Sequence, residues 1–141
     1  MGHLYLEDIE VGRTAERTHV VTAEDIDRFA EVSGDFNPLH MDEEYAAQTP
    51  FKSRIAHGML SGAYISAALA GELPGAGSVY LSQSLNFKRP VRIGDEVLTR
   101  IRIESIDEAR ARLTISTVCK VRNKTVTDGE AIVLVPRRPT A

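Results

Sequence analysis

Apolar and polar positions change period along this chain, and the changes divide it into elements. Thr22 followed by Glu24 and Asp25 marks a helix start, and Ile26, Phe29 and Ala30 then recur at the three-and-four spacing of one helical face. The helix is expected to stop at Ser33 and Gly34. The stretch SGDFNPLH cannot continue it, because Pro38 has no amide hydrogen and restricts Asn37, so a short irregular loop is predicted. Asp42 is placed to cap a brief turn through Glu43, Glu44, Tyr45, Ala46 and Ala47. From Gly58 to Ala70 the chain reads GMLSGAYISAALA, small or apolar on nearly every side and without one charge, before the stop signal GELPG. A helix apolar all round is a buried helix, so something must wrap it.

The remaining half of the chain has the period of strands. GSVYLSQSLNFKRP comes first, and in DEVLTRIRIESID the residues Val97, Thr99, Ile101 and Ile103 face one way while Arg100, Arg102 and Glu104 face the other. ARLTISTVCKVR repeats the alternation with Leu113, Ile115, Thr117, Cys119 and Val121. A turn at Asn123 leads into KTVTDGEAIVLVP, and short connections make neighbouring strands antiparallel. A long central helix enclosed by a curved antiparallel sheet is an α+β arrangement, and the hotdog fold has this layout, as do other two-layer α+β folds.

Composition narrows the class. The 141 residues amount to one domain, read as continuous over 1–141, with PRRPTA after Val135 expected to be a loose tail. Apolar residues at 43% and charged residues at 26% are ordinary for a globular protein, and the longest apolar runs are too short to span a membrane. The net charge of −3 gives no global attraction to nucleic acid. Arg100, Arg102, Arg110, Arg112, Arg122 and Lys124 do gather in one stretch, read either as a solvated strand face or as a contact for cofactor phosphates. The single Cys119 cannot form an internal disulfide and fits a strand's buried face, and MGHLYLEDIEVG lacks a signal core, which together predict a reducing cytoplasm.

Two segments carry candidate chemistry. Asp35 and His40 stand five positions apart across the turn fixed by Pro38. Gly, Asp, Asn and Pro are turn formers, so a plain Asx turn explains the composition. A rigid turn can also bring a carboxylate and an imidazole to one small volume, where one accepts a proton from water and the other orients that water. The second segment is RIAHGM, where Gly58 opens the apolar helix. First-turn amides lack partners inside the helix and carry partial positive charge, so they can stabilise an oxyanion on a bound carbonyl, and glycine permits close approach. Tight packing of a helix end explains Gly58 equally well, and His57 is read as a side chain whose hydrogen bonds support the loop. No histidine, cysteine or carboxylate cluster has the spacing of a zinc site; His3 and His19 are isolated. The glycines of GELPGAG follow a helix and precede a strand, the reverse of a dinucleotide-binding loop.

The run FAEVSGDFNPLHMDEEYA, with IAHGML and GSVYLSQSLNFKRPVRIGDEV after it, resembles the MaoC-type (R)-specific enoyl-CoA hydratases over nearly the whole chain. The resemblance implies a hotdog-fold homodimer that adds water to a trans-2-enoyl-CoA and yields the (3R)-3-hydroxyacyl-CoA, within fatty acid metabolism or polyhydroxyalkanoate supply. Asp35 and His40 match the catalytic pair, Gly58 the backbone donor to the thioester carbonyl, and Asn37 and His57 support the loop. Ser66, Leu69 and Ile132 fall where related enzymes line the acyl pocket, and the bulk of Leu69 and Ile132 suits short acyl chains. No cofactor or metal is implied, since coenzyme A arrives as part of the substrate. A hotdog acyl-CoA thioesterase is the nearest rival, but many of these use an acid on the central helix and none stands between Gly58 and Ala70. A silent acyl-CoA-binding subunit is expected to lose one member of the Asp and His pair, and both are present.

Overall fold

The computed structural model describes residues 4–140. The elements are β1 (Thr14–Val20), α1 (Ala23–Ser33), α2 (Pro38–Met41), α3 (Glu43–Ala47), α4 (Gly58–Gly71), β2 (Val79–Gln83), β3 (Asn86–Phe87), β4 (Glu96–Asp107), β5 (Arg112–Val121) and β6 (Lys124–Leu134). The strands form one antiparallel sheet in the order β1-β4-β5-β6-β2, with β3 also paired to β6. α4 lies along the inner face of that sheet, which is the hotdog layout.

The alternation in the long strands does what it predicts. Val97, Thr99, Ile101 and Ile103 of β4, with Leu113, Ile115, Thr117, Cys119 and Val121 of β5, are all buried. They meet Leu60, Ile65, Ala68 and Leu69 of α4 in one hydrophobic core. Cys119 is part of that core, and burial pushes its thiol up, away from reactivity. The hairpin between β5 and β6 turns at Arg122 and Asn123, both in the left-handed region at φ 48° and 63°.

Several expectations change. Residues 14–20, without an apolar alternation of their own, form the edge strand β1 by pairing with β4 from Thr14↔Arg102 to Val20↔Glu96. The stretch predicted as one strand around residues 77–90 is broken into β2 and β3 where Ser84 crosses β6. There the Ser84 carbonyl lies so close to Gly129 that a Cβ on that glycine would stand 1.8 Å from its oxygen. The predicted irregular loop is regular at its end: Pro38 opens the helical turn α2, the one helix position where its missing amide hydrogen costs nothing. The tail after Val135 is outside any strand but is not loose, since Leu6 N donates to Pro136 O at 2.9 Å and Arg138 pairs with Asp8. Finally, α4 is not enclosed all round: Met59 is 56% exposed and Ala63 is open to solvent. Among the described residues no helix is long and apolar enough to cross a membrane.

Candidate active site

The site is built outward from the end of α1. Thr22 Oγ1 accepts from Asp25 N at 3.0 Å, and Asp25 Oδ2 accepts from Thr22 N at 3.0 Å, the reciprocal cap anticipated from the sequence. After eleven helical residues, Ala23–Ser33, the helix stops at Gly34, whose φ of 81° is left-handed, and the chain turns out into the loop. Three short side-chain bonds then set the loop's course. Ser33 Oγ accepts from Asp35 N at 3.2 Å, Asp35 Oδ1 from Asn37 N at 3.2 Å, and Asn37 Oδ1 from Leu39 N at 3.1 Å. Pro38 comes next as the first residue of α2 and delivers His40 to its last turn.

His40 is 9% exposed, and its Nδ1 donates to Ile55 O at 2.8 Å. A carbonyl only accepts, so Nδ1 carries the hydrogen and Nε2 is left with its lone pair. Burial is the largest influence on this ring and holds its pKa below the ordinary histidine value; neighbouring His57 pushes the same way, against the Ile55 carbonyl and the Asp35 carboxylate. His40 is therefore neutral at neutral pH. His57 is 2% exposed, donates from Nε2 to Asp35 O at 2.9 Å, and stacks against His40 with ring centroids 4.0 Å apart. The Phe29 ring also packs on His57, tilted, with centroids 4.8 Å apart. Arg54 ties the two segments together, with Nε donating to His40 O at 2.5 Å and its other end on Asp27 at 2.9 Å. Ala56 N donates to Val91 O at 2.7 Å, which fixes the approach to α4 against the segment before β4.

These residues converge. Asp35, His40, His57 and Gly58 line one open cleft of about 480 Å³, and one ligand-capable atom from each of Asp35, His40 and His57 lies within 4.8 Å of the others. Asp35 is exposed to solvent, whereas the two imidazoles are buried behind it. Gly58, the first residue of α4, is exposed in the same cleft at the helix start, where the leading amides have no preceding helical carbonyl, although Leu60 N donates to the capping His57 O at 3.0 Å. A Cβ there would stand 2.8 Å from the Phe87 ring, a packing reason for glycine in addition to ligand approach. A carboxylate, a neutral imidazole and a helix N-terminus facing one water-accessible volume can activate water and polarise a carbonyl.

Asn37 holds the loop without facing the cleft. Ser66, Leu69 and Ile132 do not line it: Ser66 and Ile132 are half-buried elsewhere, and Leu69 is 3% exposed in the core. At about 1.5 Å rise per residue, Ser66 and Leu69 lie roughly 12 and 16 Å along α4 from Gly58, too far for the mouth of this cleft. Lys88, Arg89 and Thr127 do line it and were not anticipated. Their signal was the basic pair before Pro90, read only as strand. The basic stretch over residues 100–124 turns away from the cleft: Arg102 approaches Glu104 at 3.9 Å, Arg110 Asp107 at 4.0 Å, and Arg122 meets the buried Asp95 at 2.9 Å. Far from being isolated, His19 is paired with Asp25 at 2.8 Å; His3 lies outside the described residues.

Known proteins are similar to this chain. Residues 7–128 match the MaoC like domain model. The chain is 47% identical to an (R)-specific enoyl-CoA hydratase of Rhodospirillum rubrum over 95% of its own length and 93% of the relative's. It is 46% identical to a 3-hydroxybutyryl-CoA dehydratase of Methylorubrum extorquens over 98% and 88%. Among solved structures, the unliganded R-hydratase PhaJ1 from Pseudomonas aeruginosa superposes with a TM-score of 0.92 at 44% identity, covering 96% of this chain and 88% of that one. A family match across most of the residues, with relatives near half identical along nearly their full length, places the loop and cleft in a known lineage: this chain belongs to the MaoC-like domain family.

Proposed function

We propose that the chain adds water across the double bond of a trans-2-enoyl-CoA to give the (3R)-3-hydroxyacyl-CoA, and removes it in the reverse direction. The observation that carries this reading is the convergence of Asp35 and a neutral His40 beside the start of α4 in one cleft. The thioester carbonyl sits at Gly58, whose amide stabilises the negative charge that develops on its oxygen; such a donor is worth about 3–4 kcal/mol. Withdrawal of electrons into that carbonyl opens C3 of the conjugated acyl group to attack. Water held between the Asp35 carboxylate and His40 Nε2 supplies the hydroxyl to C3, and a proton delivered to C2 completes the product. The (R) configuration is supported by the names of the related hydratases. The dehydratase name of another relative fits the same chemistry run backwards.

His57 and Asn37 act in this scheme through the loop, and coenzyme A enters as part of the substrate, so no further cofactor is drawn on. Lys88 and Arg89 at the cleft are the cations nearest to hand for the nucleotide's phosphates. The working unit is a homodimer, a reading supported by the exposed apolar residues Met59, Tyr80 and Leu81 beside the open edge of β2, and the free Cys119 fits a reducing cytoplasm. The test is hydration of crotonyl-CoA, followed by loss of the conjugated thioester's absorbance. Asp35→Asn and His40→Ala should each lower the rate roughly a hundred- to ten-thousandfold. Full activity in both variants ends the assignment.

A further inference from the structure

His57 leaves one atom unaccounted for. The side chain is 2% exposed and its Nε2 is committed to Asp35 O, yet Nδ1 is buried with no hydrogen-bond partner. Buried polar nitrogens without partners are uncommon and call for an explanation. In the tautomer that donates from Nε2 alone, Nδ1 holds a lone pair and no hydrogen. His40 is arranged in the same way with the nitrogens exchanged, Nδ1 spent on Ile55 O and Nε2 free. Two imidazoles, each with its N–H given to a backbone carbonyl, present two lone pairs beside the Asp35 carboxylate. This is how proteins prepare histidines for a metal: the outer nitrogen is tied to a carbonyl, which fixes the tautomer and turns the inner nitrogen to the ion.

We propose that His40 Nε2, His57 Nδ1 and the Asp35 carboxylate form a three-ligand site for a divalent transition-metal ion of the zinc class, which takes the place of the reacting water and silences the enzyme. One ligand-capable atom of each residue lies within 4.8 Å of the others. Tetrahedral zinc with bonds of about 2.0–2.1 Å holds its ligands roughly 3.3–3.4 Å apart, so the widest pair must close by about 1.4 Å. Closure is shared between the exposed Asp35 carboxylate, which gives up its bond to Asn37 N, and a parting of the two rings, whose centroids at 4.0 Å are closer than those of two imidazoles on one tetrahedral ion. Two nitrogens and one carboxylate oxygen suit zinc, cobalt and nickel better than magnesium or calcium, which favour all-oxygen shells. The fourth position is left to solvent. The part of the proposal that concerns silencing rests on the hydratase reading; ion binding itself does not.

The experiment uses the full chain freed of metal with a chelator. Co²⁺ and then Zn²⁺ are titrated at micromolar concentration, with the visible absorption of tetrahedral cobalt and calorimetric stoichiometry as readouts, and crotonyl-CoA hydration is followed in parallel. One ion per chain is expected, with the cobalt band present, activity falling as the site fills, and activity returning on chelation. Asp35→Asn, at an exposed position that leaves the fold intact, and His57→Gln should each weaken binding at least about tenfold, whereas His19→Gln should leave it unchanged. Absence of stoichiometric binding, or binding undisturbed in both site variants, overturns the proposal. Binding that depends on Asp35 and His57 in a chain with no hydratase activity would uphold the ion site and refute the hydratase reading.

Discussion

Gly58 is the residue at which packing and chemistry make different demands. A methyl group there would stand 2.8 Å from two carbons of the Phe87 ring, but that ring is 55% exposed and can swing outward. Alanine is also a better helix former than glycine, so the net change in stability from Gly58→Ala should stay within about 1 kcal/mol. The hydration rate should nonetheless fall steeply, because the methyl projects into the cleft at the amide where the proposed function seats the thioester. Thermal melts read beside crotonyl-CoA kinetics separate the two; a lowered melting point with undiminished turnover would show that glycine serves Phe87 alone. Asp35, Asn37, His40 and Gly58 were legible in the sequence because their placement is local: each turn bond from Ser33 to Leu39 spans two residues. Lys88 and Arg89, just past β3, and Thr127 in β6 reach the cleft from far along the chain, and the one local sign was the basic pair before Pro90. Ser66, Leu69 and Ile132 were placed by likeness rather than by local physics, and they do not reach the cleft within one chain.

Elements hold the site to the sheet, and their strengths differ. α1 carries the loop at its far end and is secured at its start by Asp25, which accepts from Thr22 N at 3.0 Å and His19 Nε2 at 2.8 Å. Partial burial pushes the Asp25 carboxyl up, but these bonds and the Thr22 hydroxyl outweigh it and leave its pKa below the usual carboxylate value. A depressed folded pKa means the contribution is complete above the ordinary value of 3.8 and is lost as pH falls through the lower folded one. Wild type should therefore exceed Asp25→Asn in denaturant stability at neutral pH, with the gap closing in acid; a gap that widens there would refute the cap's role. At the other end of the sheet, the passage from β2 to β3 requires a residue without a side chain at 129. Because the Ser84 oxygen is backbone, it cannot swing aside as Phe87 can, and Gly129→Ala should cost about 3 kcal/mol or more, visible as an early urea midpoint. Neither feature of the sheet's ends could be read in advance. β1 has six of its seven residues exposed and exists by pairing, while the Ser84 crossing depends on a contact 45 positions away. The long strands, whose period follows from one buried face, were legible throughout, whereas α4 was legible as a helix but not in its open side at Met59 and Ala63.

At the scale of the molecule, the sheet ends in two unlike edges. β1 offers solvent Thr14, Glu16, Arg17 and His19, a polar and charged margin of the kind that discourages edge pairing. β2 offers Val79, Tyr80 and Leu81 at 50%, 39% and 42% exposure, next to Met59 at 56% on the uncovered side of α4. Met59, Gly62, Leu81 and Leu85 line an apolar groove between α4 and β2, and Met59 also lines the cleft that holds Asp35 and His40. A second copy that covered the groove by a two-fold axis would therefore close the outer wall of both clefts as well. Leu81→Glu puts two unpaired carboxylates into that contact, one from each copy, and burying either without a partner is unfavourable by several kcal/mol. Light scattering at micromolar concentration should then find wild type at twice the chain mass and the variant at the chain mass. Since Asp35, His40 and Gly58 are untouched, crotonyl-CoA hydration by the variant should fall only as far as the cleft depends on its second wall, and should recover in part as protein concentration rises. A variant that stays dimeric with full activity would move the interface away from β2, and with it the claim that one face both joins the copies and completes the site.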